Sequence, residues 1–175
     1  MSENIEVLIT QQELDKRISE IAEEINRDFA GKEVTLVCVL KGGVMFMVDM
    51  AKKLNQKVEF EFIDVSSYSG TSSTGKLVIN KDLETSVEGK NVILLEDIVD
   101  TGRTLSYLIE YLKEKNPASL KLCTLLDKPS RRVVNVDADY IGFTIPDAFI
   151  VGYGLDYNQQ YRNLPYIGIL HLDEE

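Results

Sequence analysis

Residues 94–105 read LLEDIVDTGRTL, and the order of residue types in this stretch decides the architecture of the chain. A hydrophobic strand ends in Glu96 and Asp97, passes through Ile98 and Val99 to Asp100, and turns through Thr101, Gly102, Arg103 and Thr104 into a helix. In an open parallel sheet the crevice beyond the carboxyl ends of the strands is where ligands bind, so the carboxylates and the turn both fall at a binding position. The turn offers backbone N–H groups, two threonine hydroxyls, a glycine that permits close approach and a helix N-terminus, a set that suits a phosphate. Two adjacent carboxylates beside such a cradle suit the hydroxyls of a ribose, directly or through magnesium.

The flanking sequence repeats the same grammar. Upstream, VTLVCVL (34–40) is a short run rich in β-branched residues, read as a strand buried on both faces and ended by Lys41-Gly42-Gly43. Residues 44–56 read as a helix, KVEFEFIDV (57–65) as an alternating strand, and SSYSGTSSTG (66–75) as a long polar loop. KLVIN (76–80) and NVILLE (91–96) read as strands, residues 104–116 as a helix closed before Pro117, and SLKLCTLL (119–126) as another strand. Near the N-terminus, Leu14, Ile18, Ile21, Ile25 and Phe29 draw one apolar stripe on a helix, with Thr10 and Glu13 suited to a capping box and Gly31 to the stop. Strand, helix and strand recurring in this way predict an α/β fold, a mostly parallel twisted sheet with helices on both faces. The last fifty or so residues hold shorter pieces (DYIGFTI, AFIVGYG, YIGIL) broken by Pro146, Gly152, Gly154 and Pro165, which predicts a small hood subdomain rather than further crossovers.

Composition narrows the function classes. The 175 residues correspond to about one domain at roughly 150 residues per domain, and residues 1–175 are expected to form it without a linker or internal repeat. A net charge of −10, from 29 acidic and 19 basic residues, opposes attraction to phosphate backbones and anionic lipids and argues against nucleic acid as the main partner. No stretch approaches the roughly 18 uninterrupted apolar residues of a membrane span. His171 is the single histidine, so a multi-histidine zinc site is out of reach. Cys38 and Cys123 lie inside apolar runs and read as buried thiols. MSENIEVLIT lacks a basic region followed by an apolar stretch, so the cytoplasm is the expected compartment.

The stretch from Leu94 to Leu105 resembles the phosphoribosyl pyrophosphate signature of the type I phosphoribosyltransferases, and the resemblance extends through most of the chain, nearest to the hypoxanthine-guanine members of bacterial type. Leu40-Lys41-Gly42-Gly43 resembles the family's pyrophosphate loop, in which a non-proline cis peptide precedes the lysine. Ser67-Tyr68 in the polar loop resembles the mobile catalytic lid, and Asp127-Lys128-Pro129 the purine-recognising lysine segment. Phe149-Ile150 followed by Asp156 resembles the base-stacking and magnesium-linked region, and Arg162 sits where the family has an arginine near the pyrophosphate.

The resemblance implies purine salvage: hypoxanthine or guanine joined to phosphoribosyl pyrophosphate, giving IMP or GMP and pyrophosphate. It implies Asp100 as the proton acceptor beside N7, Glu96 and Asp97 at the ribose, and residues 100–104 (Asp100, Thr101, Gly102, Arg103, Thr104) around the 5-phosphate. It places Lys41, Gly42 and Arg162 at the pyrophosphate, Lys128, Phe149, Ile150 and Asp156 at the purine, and Mg2+ near Glu96, Asp97 and Asp156. It also implies a homodimer or homotetramer. Arg103 is a departure, a bulky cation inside the phosphate loop, at a position the family leaves variable. Residues 70–76 (GTSSTGK) satisfy most of a nucleotide-binding loop pattern, but Leu77 replaces the hydroxyl that would hold magnesium, and a strand-like segment follows where a helix is needed. Two other classes compete: an adenine or xanthine phosphoribosyltransferase, and an RNA-binding regulator of the same fold, which would need a basic face.

Overall fold

The computed structural model describes residues 3–67 and 77–172. The Tyr68 part of the expected lid and the pattern over residues 70–76 lie outside the described residues.

The chain order is β1 (Glu3–Ile9), α1 (Gln11–Asp28), β2 (Val34–Val39), α2 (Val44–Lys53), β3 (Val58–Ser67), β4 (Leu77–Lys81), β5 (Asn91–Val99), α3 (Arg103–Lys113), β6 (Ser119–Asp127), a 3-10 turn (Pro129–Arg131), β7 (Tyr140–Thr144), β8 (Ile150–Val151) and β9 (Ile167–Leu172). Six strands form one sheet in the order β4-β3-β2-β5-β6-β7, parallel throughout except for the antiparallel β3–β4 pair. β2 is buried along its whole length because both of its faces are covered. Leu36 and Cys38 pack in the cluster that includes the α1 stripe and Phe46, Met47 and Met50 of α2, while Val37 and Val39 pack with Leu105, Leu108 and Leu112 of α3. The α1 capping box forms as expected, with the Glu13 amide donating to Thr10 Oγ1 at 3.2 Å and the Thr10 amide to Glu13 Oε2 at 2.8 Å. Among the described residues no helix is long and apolar enough to cross a membrane.

The second sheet is a three-stranded antiparallel hood, β1-β9-β8. Its β1, from the segment read only for an export signal, pairs with β9 from Glu3↔Leu172 to Ile9↔Ile167, so the first and last of the described strands meet in one sheet. The DYIGFTI segment, expected in the hood, is instead the edge strand β7 of the main sheet, parallel to β6 with Cys123 opposite Tyr140. Its placement follows from partners far away in sequence. Tyr140 is buried and donates its phenol to Asp28 Oδ2 at 2.5 Å, and Arg17 of α1 donates to the Gly142 and Ile141 carbonyls at 3.0 and 2.7 Å, covering part of a free strand edge. A second difference lies at the decisive stretch: β5 continues through Glu96 and Asp97 to Val99, because Ile98 pairs with Leu126 and Val99 with Asp127 of β6.

Candidate active site

The site lies past the carboxyl ends of β2, β5 and β6 and under the hood. From β5 the chain enters α3 through Gly102, whose φ of 84° is the left-handed conformation that glycine adopts freely. The space is as restrictive as the dihedral, since a Cβ on Gly102 would stand 2.3 Å from the Val134 carbonyl. The segment after the 3-10 turn backs this loop, with the Val133 and Val134 amides donating to the Thr101 carbonyl at 2.9 and 3.0 Å. The Arg103 amide lies 3.4 Å from Thr101 Oγ1, and the Arg103 residue itself is exposed at the start of α3. A cavity of about 170 Å³ opens here, lined by Glu96, Ile98, Asp100, Thr101, Gly102 and Thr104 among others.

A second cavity, of about 420 Å³, is lined by Lys128, Arg131, Asp147, Phe149 and Ile150 and also by Ile98 and Asp100, so the two cavities share those last two residues. Lys128, although charged, is only 7% exposed, and its ammonium donates to the Ala148 carbonyl at 2.6 Å. A lysine has three donors, so that contact leaves capacity for a ligand acceptor. Phe149 is half exposed beside this cavity and meets Tyr157 edge to face, with ring centroids 5.5 Å apart. Ile150 is buried in β8. Asp100 is contacted by Arg131, whose Nε lies 3.3 Å from Oδ1, and the same guanidinium reaches Asp147 Oδ2 at 3.7 Å. Both partners of the Arg131–Asp100 pair are about half exposed, so solvent screens it, and its value is in orienting the carboxylate.

On the opposite side the Leu40–Lys41 peptide is cis. Gly42 stands against the carboxylate pair: a Cβ there would fall 1.7 Å from Asp97 Oδ2. Gly154, at φ 103°, stands in turn against Gly42, with a Cβ 2.1 Å from the Gly42 carbonyl. Arg162 wraps this turn, donating from Nη1 to the Gly154 carbonyl at 2.7 Å, while its other nitrogen pairs with Asp156 Oδ1 at 2.9 Å. Lys41 Nζ and Arg162 Nη2 both meet Gln159 Oε1 at 3.3 Å.

Glu96 is buried, and that burial, followed by the charge of Asp97, pushes its carboxyl well above the usual carboxylate range. Burial raises Asp97 as well, against hydrogen bonds that favour its charged form, including the Ile98 amide on Oδ1 at 2.7 Å. Two neighbouring, poorly solvated carboxylates are a donor set that a small hard cation suits. Asp156, expected with them at magnesium, has one oxygen on Arg162 and the other accepting from the Gln159 amide at 2.9 Å. Among the described residues no group of three acidic, histidine or cysteine side chains converges, so a magnesium ion here would take its remaining oxygens from substrate and water. Burial, then the charges of Glu96 and Asp97, push the Cys38 thiol up to about 12, which leaves it an inert core residue.

Sequence reading missed Arg131, Asp147, Tyr157 and Gln159. Arg131 ends the single 3-10 turn after Lys128 and Asp147 follows Pro146 in irregular chain, segments too short for any periodicity to say which way a side chain faces.

A phosphoribosyl transferase domain model matches residues 6–158. The chain is 48% identical over 172 residues to a hypoxanthine-guanine phosphoribosyltransferase of Bacillus subtilis, covering 97% of this chain and 96% of that one. It is 52% identical over 165 residues to a Listeria monocytogenes protein described as the bifunctional protein TilS/HprT, covering 94% of this chain but only 26% of the relative, so it spans about a quarter of that protein's length. A crystal structure of a hypoxanthine-guanine phosphoribosyltransferase from Bacillus anthracis superposes with a TM-score of 0.91 at 43% identity, covering 97% of this chain and 100% of that one.

Proposed function

The chain belongs to the phosphoribosyl transferase family, among its hypoxanthine-guanine members, and from that premise we propose how its own residues divide the work of purine salvage. The reaction moves 5-phosphoribosyl from phosphoribosyl pyrophosphate to N9 of hypoxanthine or guanine, giving IMP or GMP and pyrophosphate. The observation that carries the assignment of roles is the pair of cavities that share Ile98 and Asp100, one beside the Thr101–Thr104 turn and the other beside buried Lys128. A nucleoside monophosphate spans such a pair, phosphate in the smaller and base in the larger.

Displacement at the anomeric carbon passes through a ribose with oxocarbenium character, so catalysis consists of stabilising the departing pyrophosphate and activating the incoming nitrogen. Asp100 accepts or shares the proton lost from N7 as N9 attacks. The turn from Thr101 to Thr104 holds the 5-phosphate with backbone amides and hydroxyls, and the exposed Arg103 adds a positive charge at its rim. Lys128 donates to the 6-oxygen, and Phe149 offers its half-exposed ring to the purine face. The Lys41–Gly42 backbone and Arg162 serve the leaving group. Glu96 and Asp97, with Asp156, would hold magnesium together with substrate oxygens, and when bound it would supply charge neutralisation at the ribose and pyrophosphate. Asp156 belongs to the purine and magnesium region in the same reading, with Arg162 paired to one of its oxygens. Closure of residues 66–75 over the site, excluding water from the activated ribose, is part of the same reading. So are a single unit over residues 1–175, a cytoplasmic location, which the two unpaired buried cysteines suit, and a homodimer or homotetramer.

The test is pyrophosphate release from magnesium phosphoribosyl pyrophosphate with hypoxanthine, guanine, xanthine and adenine, on the native protein and on Lys128→Met. A lysine only donates, so the 6-amino group of adenine leaves it without an acceptor, and discrimination of roughly 10⁴-fold is expected from a site built this way. Lys128→Met loses mainly the 6-oxopurines. An unchanged hypoxanthine-to-adenine ratio of kcat/KM in the variant removes Lys128 from base recognition.

A further inference from the structure

We propose that Tyr153 and Asp49 are positioning residues for the pyrophosphate end of the site: their hydrogen bond clamps the Gly152–Gly154 turn against the Lys41–Gly42 loop and so holds Arg162 and the Gly42 backbone in register. The proposal rests on the assignment of Lys41, Gly42 and Arg162 to pyrophosphate.

The layers are explicit in the contacts. The Asp97 carboxylate abuts Gly42, the Gly42 carbonyl abuts Gly154, and Gly154 exchanges hydrogen bonds with Arg162, its amide donating to the Arg162 carbonyl at 2.9 Å and its own carbonyl accepting from Arg162 Nη1. The layers come from three separate parts of the chain, and the Gly154 layer reaches the Gly42 layer with no side chain between them. Backbone contact of that closeness has little tolerance for sliding. Tyr153 lies between the two glycines of the turn, at φ 49°, a left-handed conformation unusual for a bulky residue and retained where surrounding contacts over-determine it.

Two contacts do so here. The Tyr153 amide donates to the Leu164 carbonyl at 2.9 Å, and the Tyr153 hydroxyl donates to Asp49 Oδ2. Asp49 is on α2, the helix that begins at Val44 directly after the Lys41–Gly43 loop, so the phenol–carboxylate bond ties the turn to the element that fixes the loop. Tyr153 is only 8% exposed, so the phenol side of the bond is largely shielded, while Asp49 is partly open to solvent. The other Asp49 oxygen pairs with Lys52 at 2.6 Å in a solvent-facing contact. Neither Tyr153 nor Asp49 lines the two cavities assigned to base and 5-phosphate; both instead line a separate cavity with Met45 and Leu164, so the larger effect is expected at the pyrophosphate end.

The experiment compares steady-state kinetics and calorimetric binding of magnesium pyrophosphate in Tyr153→Phe, Asp49→Leu, Asp49→Asn, the double variant Tyr153→Phe/Asp49→Leu, Lys52→Ala and Arg162→Ala, with thermal unfolding measured for each. Loss of one partly buried hydrogen bond to a charged acceptor predicts that Tyr153→Phe and Asp49→Leu each raise KM for phosphoribosyl pyrophosphate and Kd for pyrophosphate about 5- to 10-fold. KM for hypoxanthine at saturating phosphoribosyl pyrophosphate stays within about twofold, a split that general loss of stability does not produce. The double variant is no worse than either single one, because both remove the same bond. Asp49→Asn, which keeps an acceptor for the phenol, restores most of the affinity, and Lys52→Ala leaves it alone. Equal effects on both substrates, or none in Tyr153→Phe while Arg162→Ala weakens pyrophosphate, overturn the proposal. If Arg162→Ala itself leaves pyrophosphate binding unchanged, the proposal falls with its premise, and that result identifies the premise as the fault.

Discussion

The two ends of the site are built in opposite ways. The phosphate end is one continuous stretch, Asp100 to Thr104, whose shape follows from a strand, a left-handed glycine and a helix start in immediate succession. The pyrophosphate end is a stack of Asp97, Gly42, Gly154 and Arg162, drawn from three separate parts of the chain, with backbone against backbone where Gly154 meets Gly42. A locally encoded end responds to a substitution within its own few residues. An assembled end responds to anything that shifts one layer, including residues that touch no substrate.

Asp100 belongs to both cavities and is expected to give the largest effect. Asp100→Asn keeps its shape and its ability to accept from Arg131 but not its basicity, so turnover with either purine is expected to fall by roughly 10²-fold or more while affinity for phosphoribosyl pyrophosphate changes little. Wild-type turnover in that variant removes the proton-acceptor role.

The comparison itself is tested by a pair of glycines. Gly102→Ala forces a Cβ to within 2.3 Å of the Val134 carbonyl, and Gly154→Ala to within 2.1 Å of the Gly42 carbonyl, both at positive φ. The contacts that must give way are similar, but they lie at different ends. Shifts of about 1 Å at a reacting site cost up to 10²-fold, so losses of roughly 10- to 100-fold in kcat/KM are expected from both. Product inhibition separates them: Gly102→Ala weakens IMP and spares pyrophosphate, Gly154→Ala the reverse. Matching losses of both products in both variants abolish the distinction between a local and an assembled end.

The smallest effect on activity is expected at Glu61, away from both ends. Burial works to raise its carboxyl, but the Thr85 hydroxyl at 2.5 Å and the Glu84 and Thr85 amides at 2.9 and 2.8 Å outweigh burial and hold it below the usual range. A depressed folded-state value means that the charged form stabilises the fold above the unfolded-state value near 4.3 and that this is lost as pH falls through the lower folded value. Glu61→Gln is expected to cost about 1–3 kcal/mol in urea unfolding at pH 7, with the gap to wild type narrowing toward pH 3 and turnover little changed. A gap that is constant with pH assigns the loss to packing instead of charge.

The same division between local and assembled governs what was legible beforehand. The apolar stripe from Leu14 to Phe29 and the run at Val34–Val39 specify a helix and a doubly covered strand, because each presents a periodic face over consecutive residues. The segment at Tyr140–Thr144 reads as a strand by the same rule, yet its assignment to the hood failed, since periodicity states that a strand has a face and not which sheet receives it. That choice was made by Arg17 and Asp28, more than a hundred residues away. β1 had no partner visible in sequence until β9 supplied one.

The sequence alone determined the alternation of strands and helices, the phosphate turn and the acidic pair before it, because these depend on neighbours in the chain and on the sterics of glycine at positive φ. Only the tertiary structure decided that Asp156 faces Arg162 and that Arg131 bridges Asp100 to Asp147. It alone decided that the Gly154 turn rests on Gly42 under the Tyr153–Asp49 bond. Those contacts join irregular segments whose side-chain directions are set by how the hood closes on the sheet, and no spacing within either segment records that approach.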